Sequence, residues 1–361
     1  AADALLVAPA NVSSFAQDGN GELFLLGYGD DAALWRLKPG TVETTPMPVP
    51  TLSQTGCFQD LDDLLPAPGV VPYDVALPFW SDGARKRRFV AVPPSERLVF
   101  EPQERWRAPV GTVFVKHFDL DVELGTTTTT RRLETRFLVV EEAGMRMFSY
   151  RWREDESDAD LLVDATVIPV LGNAGLSEWS VPSPAQCLLC HTPASGGLLG
   201  AETAQWNRTV DYDGYLTNQL DAFAAWGLLD LEGAAPANLP AFPALDDESA
   251  AVGQRTRAWL HVNCASCHLP NGATGRNLDL RYHVPLSETR ACNVAPQGYG
   301  YGLSDGRIIV PGSAERSLLH FRADATSAPA RMPPVGKALV DEDASALRTQ
   351  WIEGLTSCDE N

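Results

Sequence analysis

The sequence predicts an α+β protein, in which an antiparallel β-sandwich-like domain is followed by two mainly helical segments. Three observations support this prediction. Between about residues 70 and 178, short runs of alternating polar and apolar residues are separated by turn residues, which is typical of antiparallel strands. After about residue 178 the apolar residues recur at helical spacing. Two CxxCH motifs, at residues 187–191 and 264–268, lie one in each helical segment.

The same patterns divide the 361 residues into four parts. Residues 1–48 are predicted to form N-terminal β hairpins, with a turn at residues 27–31. Residues 49–178 are the antiparallel β domain. Residues 179–245 form the first helical segment, and residues 246–361 form the second. A strand–turn–strand unit as small as the first part is marginal alone, so we expect it to pack on another element.

Six candidate strands follow one another in the β domain. They are residues 87–92, 97–100, 112–120, 130–141, 145–153 and 161–170. Alternation along residues 112–120 places His117 on the face of Val113 and Val115, opposite Phe114 and Phe118. Several short strands in succession predict an antiparallel sandwich.

Three longer helices are predicted after the β domain. The first spans residues 216–229, and a Pro-rich linker at residues 234–243 follows it. The second is expected to begin at Asp246 or Asp247, because aspartate is a preferred N-cap, and to run into Cys264. The third spans residues 342–355.

The charge balance excludes one class of partner. The formal net charge is −19, and nucleic-acid binding needs a basic face, so no nucleic-acid partner is expected. No run of about 20 apolar residues occurs, so no membrane span is predicted. The one dense basic cluster, residues 85–88, is expected either to pair locally or to serve a docking partner or haem propionates.

The two CxxCH motifs carry the predicted chemistry. Their residues are Cys187, Cys190, His191, Cys264, Cys267 and His268. This pattern is typical of covalent haem c attachment, in which two thiols bind the porphyrin edge and the histidine on the same helical face binds iron. The alternative is a zinc ribbon, whose cysteine pairs lie only about 15–20 residues apart. We therefore expect two covalently bound haem c groups. The two helical segments are accordingly predicted to be cytochrome c segments, the second resembling class I.

An axial ligand for the second haem is expected near the C-terminus. Of the four methionines, only Met332 lies in residues 246–361, within a Met-Pro-Pro turn. A thioether opposite a histidine raises the haem potential, so His268 and Met332 are the predicted iron ligands there. The alternative role for Met332 is to fill the core.

The first haem lacks an obvious second axial ligand, because residues 192–245 contain neither methionine nor histidine. The β domain offers His117, Met145, Met147 and Lys116. An imidazole on an otherwise apolar strand face needs a partner, and iron bound by His117 and His191 would provide one. A satisfied core histidine, another of these residues or an open iron are the alternatives.

Three cysteines lie outside the motifs, at Cys57, Cys292 and Cys358. A bond between Cys292 and Cys358 would tie the loop after the second haem to the C-terminal helix. Pairing of Cys57 with either of them is the alternative.

The order of several short motifs resembles a bacterial family of dihaem c-type proteins associated with quinoprotein β-propellers. The matching stretches are residues 72–75, 77–88, 110–116, 134–136, 187–192, 198–200, 218–220, 227–228, 311–313, 317–318 and 332–334. Residues 18–24 resemble the last blade of sugar-dehydrogenase-like propellers, which occur fused to or encoded beside these proteins. The resemblance implies a quinoprotein dehydrogenase as redox partner, although this chain has no room for a whole propeller.

The leading functional hypothesis is a dihaem c-type cytochrome that transfers electrons from a dehydrogenase to a further acceptor. It is not expected to be an enzyme itself. The alternatives are a dihaem peroxidase-like or oxidase-like enzyme with an open first haem, and a redox-reporting binding module built on Trp80, Trp106 and Trp152. Bacterial haem c is attached outside the cytoplasm, and the chain begins without methionine as a processed protein does. A periplasmic or extracellular location is therefore expected.

Overall fold

The computed structural model describes residues 12–27, 33–37, 48–103, 105–124, 127–173 and 176–359. Within these ranges the chain is rich in antiparallel strands and has six α-helices. The strands are β1 (Val12–Gln17), β2 (Leu23–Gly27), β3 (Leu34–Arg36), β4 (Phe58–Asp60), β5 (Leu65–Pro66), β6 (Val70–Tyr73), β7 (Arg85–Ala91), β8 (Val113–Leu124), β9 (Thr127–Glu141), β10 (Gly144–Trp152), β11 (Ala159–Leu162), β12 (Thr166–Asn173), β13 (Leu176–Val181), β14 (Thr209–Tyr212) and β15 (Tyr215–Asn218). The helices are α1 (Pro184–Cys187), α2 (Thr203–Trp206), α3 (Gln219–Ala225), α4 (Val252–Cys264), α5 (Leu318–Asp324) and α6 (Glu342–Gly354).

The first three strands form a small antiparallel sheet of their own. Asp18 closes the turn between β1 and β2, because its Oδ1 accepts hydrogen bonds of 2.9 Å from the N–H groups of Asn20 and Glu22. Such side-chain-to-backbone bonds are the reason that aspartate favours turns. Most of the turn predicted at residues 27–31 lies outside the described residues.

A six-stranded antiparallel sheet, in the order β11-β10-β9-β8-β7-β6, occupies the middle of the chain. Each strand pairs with its neighbour in sequence, so the sheet is a meander. One face packs Phe89, Val115 and Phe137 into a core that also contains Tyr150 and Trp152. Alternation along β7, β8, β9 and β10 sends the intervening side chains to the opposite face.

That opposite face shares a core with the segment that carries the first CxxCH motif. Phe114 and Leu138 of the sheet pack with Trp206 and Phe223 of the segment. Trp206 is completely buried and stacks on Tyr73, with ring centroids 4.4 Å apart. The first motif is therefore held against the sheet.

The predicted sandwich is wrong, because the structure has one meandering sheet with a two-stranded β12–β13 hairpin packed near β8. Residues 97–100 make only isolated bridges, through Leu98 and Val99. Prolines at 93, 94 and 102 flank this stretch, and proline cannot donate to a sheet ladder. The strand predicted at 161–170 is divided into β11 and β12 by a bend at residues 163–164.

The prediction of two mainly helical cytochrome c segments is also wrong. In residues 179–245, β14 and β15 form a hairpin around Asp213 and Gly214, whose φ angles are 53° and 87°. Asp-Gly is a strong hairpin turn, so the helix predicted from residue 216 is reduced to the seven residues of α3. In residues 246–361, the long stretch between α4 and α5 consists of turns, a short 3₁₀ helix and isolated bridges, with left-handed residues such as Asn271 and Tyr301.

Helix α4 begins later than predicted. Oδ1 of Asp247 accepts a 3.0 Å hydrogen bond from the N–H of Ser249, so this aspartate closes a turn instead of capping the helix. The helix starts at Val252, where Oε1 of Gln254 accepts a 3.1 Å bond from the N–H of Ala251. The second motif therefore follows directly from a thirteen-residue helix.

Helix α6 begins at Glu342, as predicted. Asp341 caps it by accepting a 3.2 Å hydrogen bond from the N–H of Ala344. The other carboxylate oxygen accepts a 2.8 Å bond from Nε1 of Trp259 on α4. One aspartate thus begins α6 and joins it to the helix that carries Cys264.

A disulfide bond joins Cys292 to Cys358, with Cα atoms 5.7 Å apart. Cys57 is unpaired and half-buried, and burial raises the pKa of its thiol. The bond closes a loop across a sequence separation of 66 residues, which ties the chain after the second motif to its C-terminal end.

We expect the double variant Cys292→Ala/Cys358→Ala to lower the free energy of unfolding by about 4 kcal/mol, because the open chain gains loop entropy when it unfolds. Guanidinium denaturation followed by circular dichroism measures this loss. Cys57→Ala removes a thiol without opening a loop, so it serves as the control and should cost far less. Equal denaturation midpoints for the wild type and the double variant would contradict the assignment.

Candidate functional site

The first CxxCH motif follows a single capped helical turn. Oγ of Ser183 accepts a 3.3 Å hydrogen bond from the N–H of Gln186, whose Oε1 accepts a 2.9 Å bond from the N–H of Ser183. This reciprocal pair is a capping box. The N–H groups of Cys190 and His191 then donate to the carbonyl of Cys187, at 3.2 and 3.1 Å. Both thiols and the imidazole therefore lie on consecutive turns of one compact unit.

A backbone carbonyl fixes the orientation of the His191 ring. Its Nδ1 donates a 2.7 Å hydrogen bond to the carbonyl of Gly197, which leaves Nε2 for another partner. Burial lowers the pKa of His191 to about 4, and the charges of Arg136 and Arg105 contribute in the same direction. The imidazole is therefore neutral at pH 7, the state in which a ring nitrogen can bind a metal.

Gly197 leaves room for one methionine of the sheet. Its φ is +70°, and a Cβ added there would lie 2.8 Å from Cε of Met145. Met145 thus packs directly against the loop whose carbonyl holds His191. It is not among the residues that line the cavity of His191.

A cavity of about 250 Å³ separates this motif from the sheet. Its wall includes Cys187, Cys190 and His191, together with Met147 of β10. Four cations also line it, namely Arg88, Arg105, Lys116 and Arg136. Two thiols, a neutral imidazole and several cations are the donor set expected for a covalently attached, iron-containing group with carboxylate substituents.

Three of these cations lie side by side on the sheet. Arg88 pairs in register with Lys116, and Lys116 pairs in register with Arg136. Like charges directly opposite each other destabilise a sheet unless anions compensate them. Arg88 forms a 3.2 Å ion pair with Asp74, and Arg136 forms a 2.5 Å ion pair with Glu134.

Lys116 differs from its two neighbours. In the described part of the chain its ammonium has no hydrogen-bond or ion-pair partner, and the ring of Phe118 lies 5.2 Å away. Burial holds the pKa of Lys116 well below its usual range, and the charge of Arg88 adds to the effect. The cavity therefore contains one amine without a counter-ion.

The second motif continues from α4. The N–H groups of Cys267 and His268 donate to the carbonyl of Cys264, at 3.1 and 3.0 Å, in the same pattern as the first motif. Nδ1 of His268 is buried and, among the described residues, has no hydrogen-bond partner. Burial lowers the pKa of His268 to about 4. This imidazole is neutral as well.

Met332 lies in the same cavity as the second motif. The cavity has a volume of about 700 Å³, which is within the usual range for cofactor sites, and Cys264, His268 and Met332 all line it. The structure therefore brings together the three predicted residues. The thiol of Cys264, the imidazole of His268 and the thioether of Met332 line this cavity, and they fit a haem c with His/Met ligation.

Two side chains fix the loop of Met332. Arg331 donates to the carbonyls of Pro334 and Lys337, at 2.8 and 3.0 Å. The ammonium of Lys337 donates to the carbonyls of Ala325 and Met332, at 3.0 and 3.4 Å. The thioether is consequently carried on a preorganised loop.

The two motifs touch each other. Sγ of Cys267 donates a 3.5 Å hydrogen bond to the carbonyl of Leu189, which lies between the cysteines of the first motif. The two candidate cofactor sites therefore adjoin, through Cys267 of the second motif and Leu189 of the first.

His117 is not brought to the cavity of His191. It is completely buried on the other face of the sheet, with its ring 5.5 Å from that of Trp152. Its Nδ1 is 2.8 Å from Oγ1 of Thr135, and its Nε2 is 2.8 Å from Oδ1 of Asp119. Both ring nitrogens are occupied, as in a satisfied core histidine.

Sequence reasoning missed a histidine from the second segment. His261 of α4 lines the first cavity. Its Nε2 is 3.0 Å from Glu202, and its Nδ1 accepts a 3.0 Å hydrogen bond from the N–H of Tyr282. The pairing of α4 with a residue near the first motif has no local sequence signal, because Glu202 and His261 are far apart in the chain.

The basic cluster at residues 85–88 is largely paired. Arg85 lies 2.8 Å from Asp121 and Arg87 lies 3.3 Å from Asp119. These contacts, with the Arg88 ion pair described above, match the local pairing considered from sequence.

The tryptophans proposed for a binding module are engaged within the fold. Trp106 and Trp152 are buried in two cores, and Trp80 donates a 3.1 Å hydrogen bond to the carbonyl of Leu339. They do not form an open aromatic platform.

Comparisons of the chain with protein-family models, with curated proteins and with solved structures found no match. Among the described residues, no three His, Cys, Asp or Glu side chains come together as a metal-binding group, so the arrangement of a zinc ribbon is not seen there. Within the same residues, no helix has the length and apolar character needed to cross a membrane.

Proposed function

We propose that this chain is a dihaem c-type electron-transfer protein. The observation that carries the proposal is the contact between the two CxxCH motifs, in which Sγ of Cys267 lies 3.5 Å from the carbonyl oxygen of Leu189. Each motif also faces a cavity of its own. Two redox groups held at adjoining sites can exchange electrons over a short distance, so the arrangement supports passage of electrons from one partner to another.

Each haem, when bound, supplies one reversible electron transfer at iron. The chain's own residues attach, orient and insulate it. The thiols of each motif would form the thioether bonds, and the neutral imidazoles of His191 and His268 would bind iron. Loop 192–197 and the carbonyl of Gly197 hold the first imidazole, while Arg331 and Lys337 hold the loop of Met332.

The proposed partner is a quinoprotein dehydrogenase, located with this protein in the periplasm or outside the cell. The resemblance of residues 18–24 to a propeller blade supports this choice. The net charge of −19 favours a donor or acceptor with a basic docking surface, through attraction that weakens as salt increases. The resemblance of the motif order to dihaem c-type proteins also supports the proposed partner.

Two matched variants test the proposal, namely Cys187→Ser/Cys190→Ser and Cys264→Ser/Cys267→Ser. The wild type should carry two covalent haems and take up two electrons in a reductive titration. Each variant should carry one haem and take up one electron, because one attachment site remains intact. Mass spectrometry of the denatured chain counts the haems, and absorbance follows the titration.

Wild-type protein that matures without covalent haem in a cytochrome c-producing host would overturn the proposal. Reaction of the ferric wild type with peroxide or cyanide distinguishes the alternative function. Rapid peroxide reduction would favour an enzyme with an open first haem.

A further inference from the structure

The residues that line the first cavity narrow the choice of a second axial ligand opposite His191. This inference rests on the proposed function. Beyond His191 and the two motif thiols, the nitrogen and sulfur donors available there are those of His261, Met147 and Lys116. His261 is excluded, because both of its ring nitrogens already have partners in Glu202 and Tyr282.

The methionines are weaker candidates. Met145 packs against Gly197 and is not among the residues that line the first cavity. Met147 is buried in the apolar core beside Phe114 and Leu138. A thioether is satisfied by such an environment and needs no further partner.

The amine of Lys116, unlike a thioether, does need a partner. It lines the same cavity as His191, and it lacks the carboxylate that each flanking arginine has. A buried amine without a partner is costly. An amine must lose its proton to bind iron, and the neutral form has a lone pair to give.

We propose that Nζ of Lys116 is the second axial ligand of the iron bound by His191. The amine then completes the coordination of the first haem, while Met332 completes that of the second. The two sites differ in their sixth ligand, nitrogen in one and sulfur in the other, so they would have different potentials and a preferred direction of electron flow. The competing role of Lys116 is an ammonium that pairs with a haem propionate.

Lys116→Arg and Lys116→Met separate these two roles. Arginine keeps the positive charge but cannot ligate iron, whereas methionine loses the charge but offers a thioether. Electron paramagnetic resonance and near-infrared magnetic circular dichroism of the ferric full-length protein report spin state and axial ligands. Wild type should show two low-spin haems, only one of them with a sulfur-to-iron charge-transfer band.

We expect Lys116→Arg to make one of the two haems high-spin, and Lys116→Met to show a second sulfur-to-iron band. Met147→Leu removes the competing thioether of the same cavity, and both haems should remain low-spin with one sulfur-to-iron band. A low-spin first haem in Lys116→Arg, or its conversion to high-spin in Met147→Leu, would overturn the assignment. Two sulfur-to-iron bands in the wild-type protein would also overturn the assignment of Lys116.

Haem content distinguishes failure of this inference from failure of the proposed function. If the wild type and the variants carry two covalent haems but the Lys116→Arg spectrum does not change, only the ligand assignment fails. If the wild type carries no covalent haem, the electron-transfer proposal itself fails.

Discussion

With the two proposed haems bound, replacing Met332 with alanine is expected to remove the sulfur-to-iron charge-transfer band of the ferric protein and to convert one haem to the high-spin state. The reason is geometric. Met332 lines the cavity of Cys264 and His268, and the side chains of Arg331 and Lys337 fix its loop. Alanine leaves that loop in place but removes the thioether sulfur of residue 332. The reduction potential of this haem should fall, because the thioether raises it.

The control is Met147→Leu, which removes a thioether from the first cavity and should keep the near-infrared band at full intensity. Magnetic circular dichroism together with a redox titration of both variants makes the comparison. A band that persists in Met332→Ala would leave Met332 as a core residue and require another ligand for the second site.

Local chemistry made part of the molecule predictable. Strands β7 to β10 alternate between two buried faces, so period-two patterning revealed them. Helix α6 begins where Asp341 can cap it. Met332 could be selected because the second segment has no other methionine, and the structure places it in one cavity with Cys264 and His268.

The features that the sequence did not predict depend on long-range contacts. His117 was considered a ligand because an imidazole on an apolar strand face needs a partner. Thr135 and Asp119 supply that partner, and alternation alone cannot show this. The helical segments were overestimated because the apolar spacing after residue 216 continues from a hairpin into α3. The contact between Cys267 and Leu189 depends on the packing of both segments, so no local stretch of sequence could predict it.

The packing of the first motif against the sheet leads to the second large expected effect. Trp206→Ala should lower the free energy of unfolding by about 3–5 kcal/mol, the usual cost of removing a buried tryptophan from a core. The ring of Trp206 is completely buried, stacks on Tyr73 and contacts the rings of Trp106 and Phe223. Its Nε1 donates a 2.9 Å hydrogen bond to the carbonyl of Gly200, which lines the first cavity.

Trp226→Ala is the matched control, because this tryptophan also contacts Phe223 but is 47% exposed. Its loss should cost far less, since much of its ring is already in water and little cavity is left behind. Urea denaturation followed by circular dichroism compares the two variants, and the absorbance of the first haem in native buffer reports on the cavity wall. Equal losses for both tryptophans would mean that the core between the sheet and the first motif does not depend on Trp206. A larger loss for Trp206→Ala with an altered first-haem spectrum would show that the same ring supports both the fold and the site.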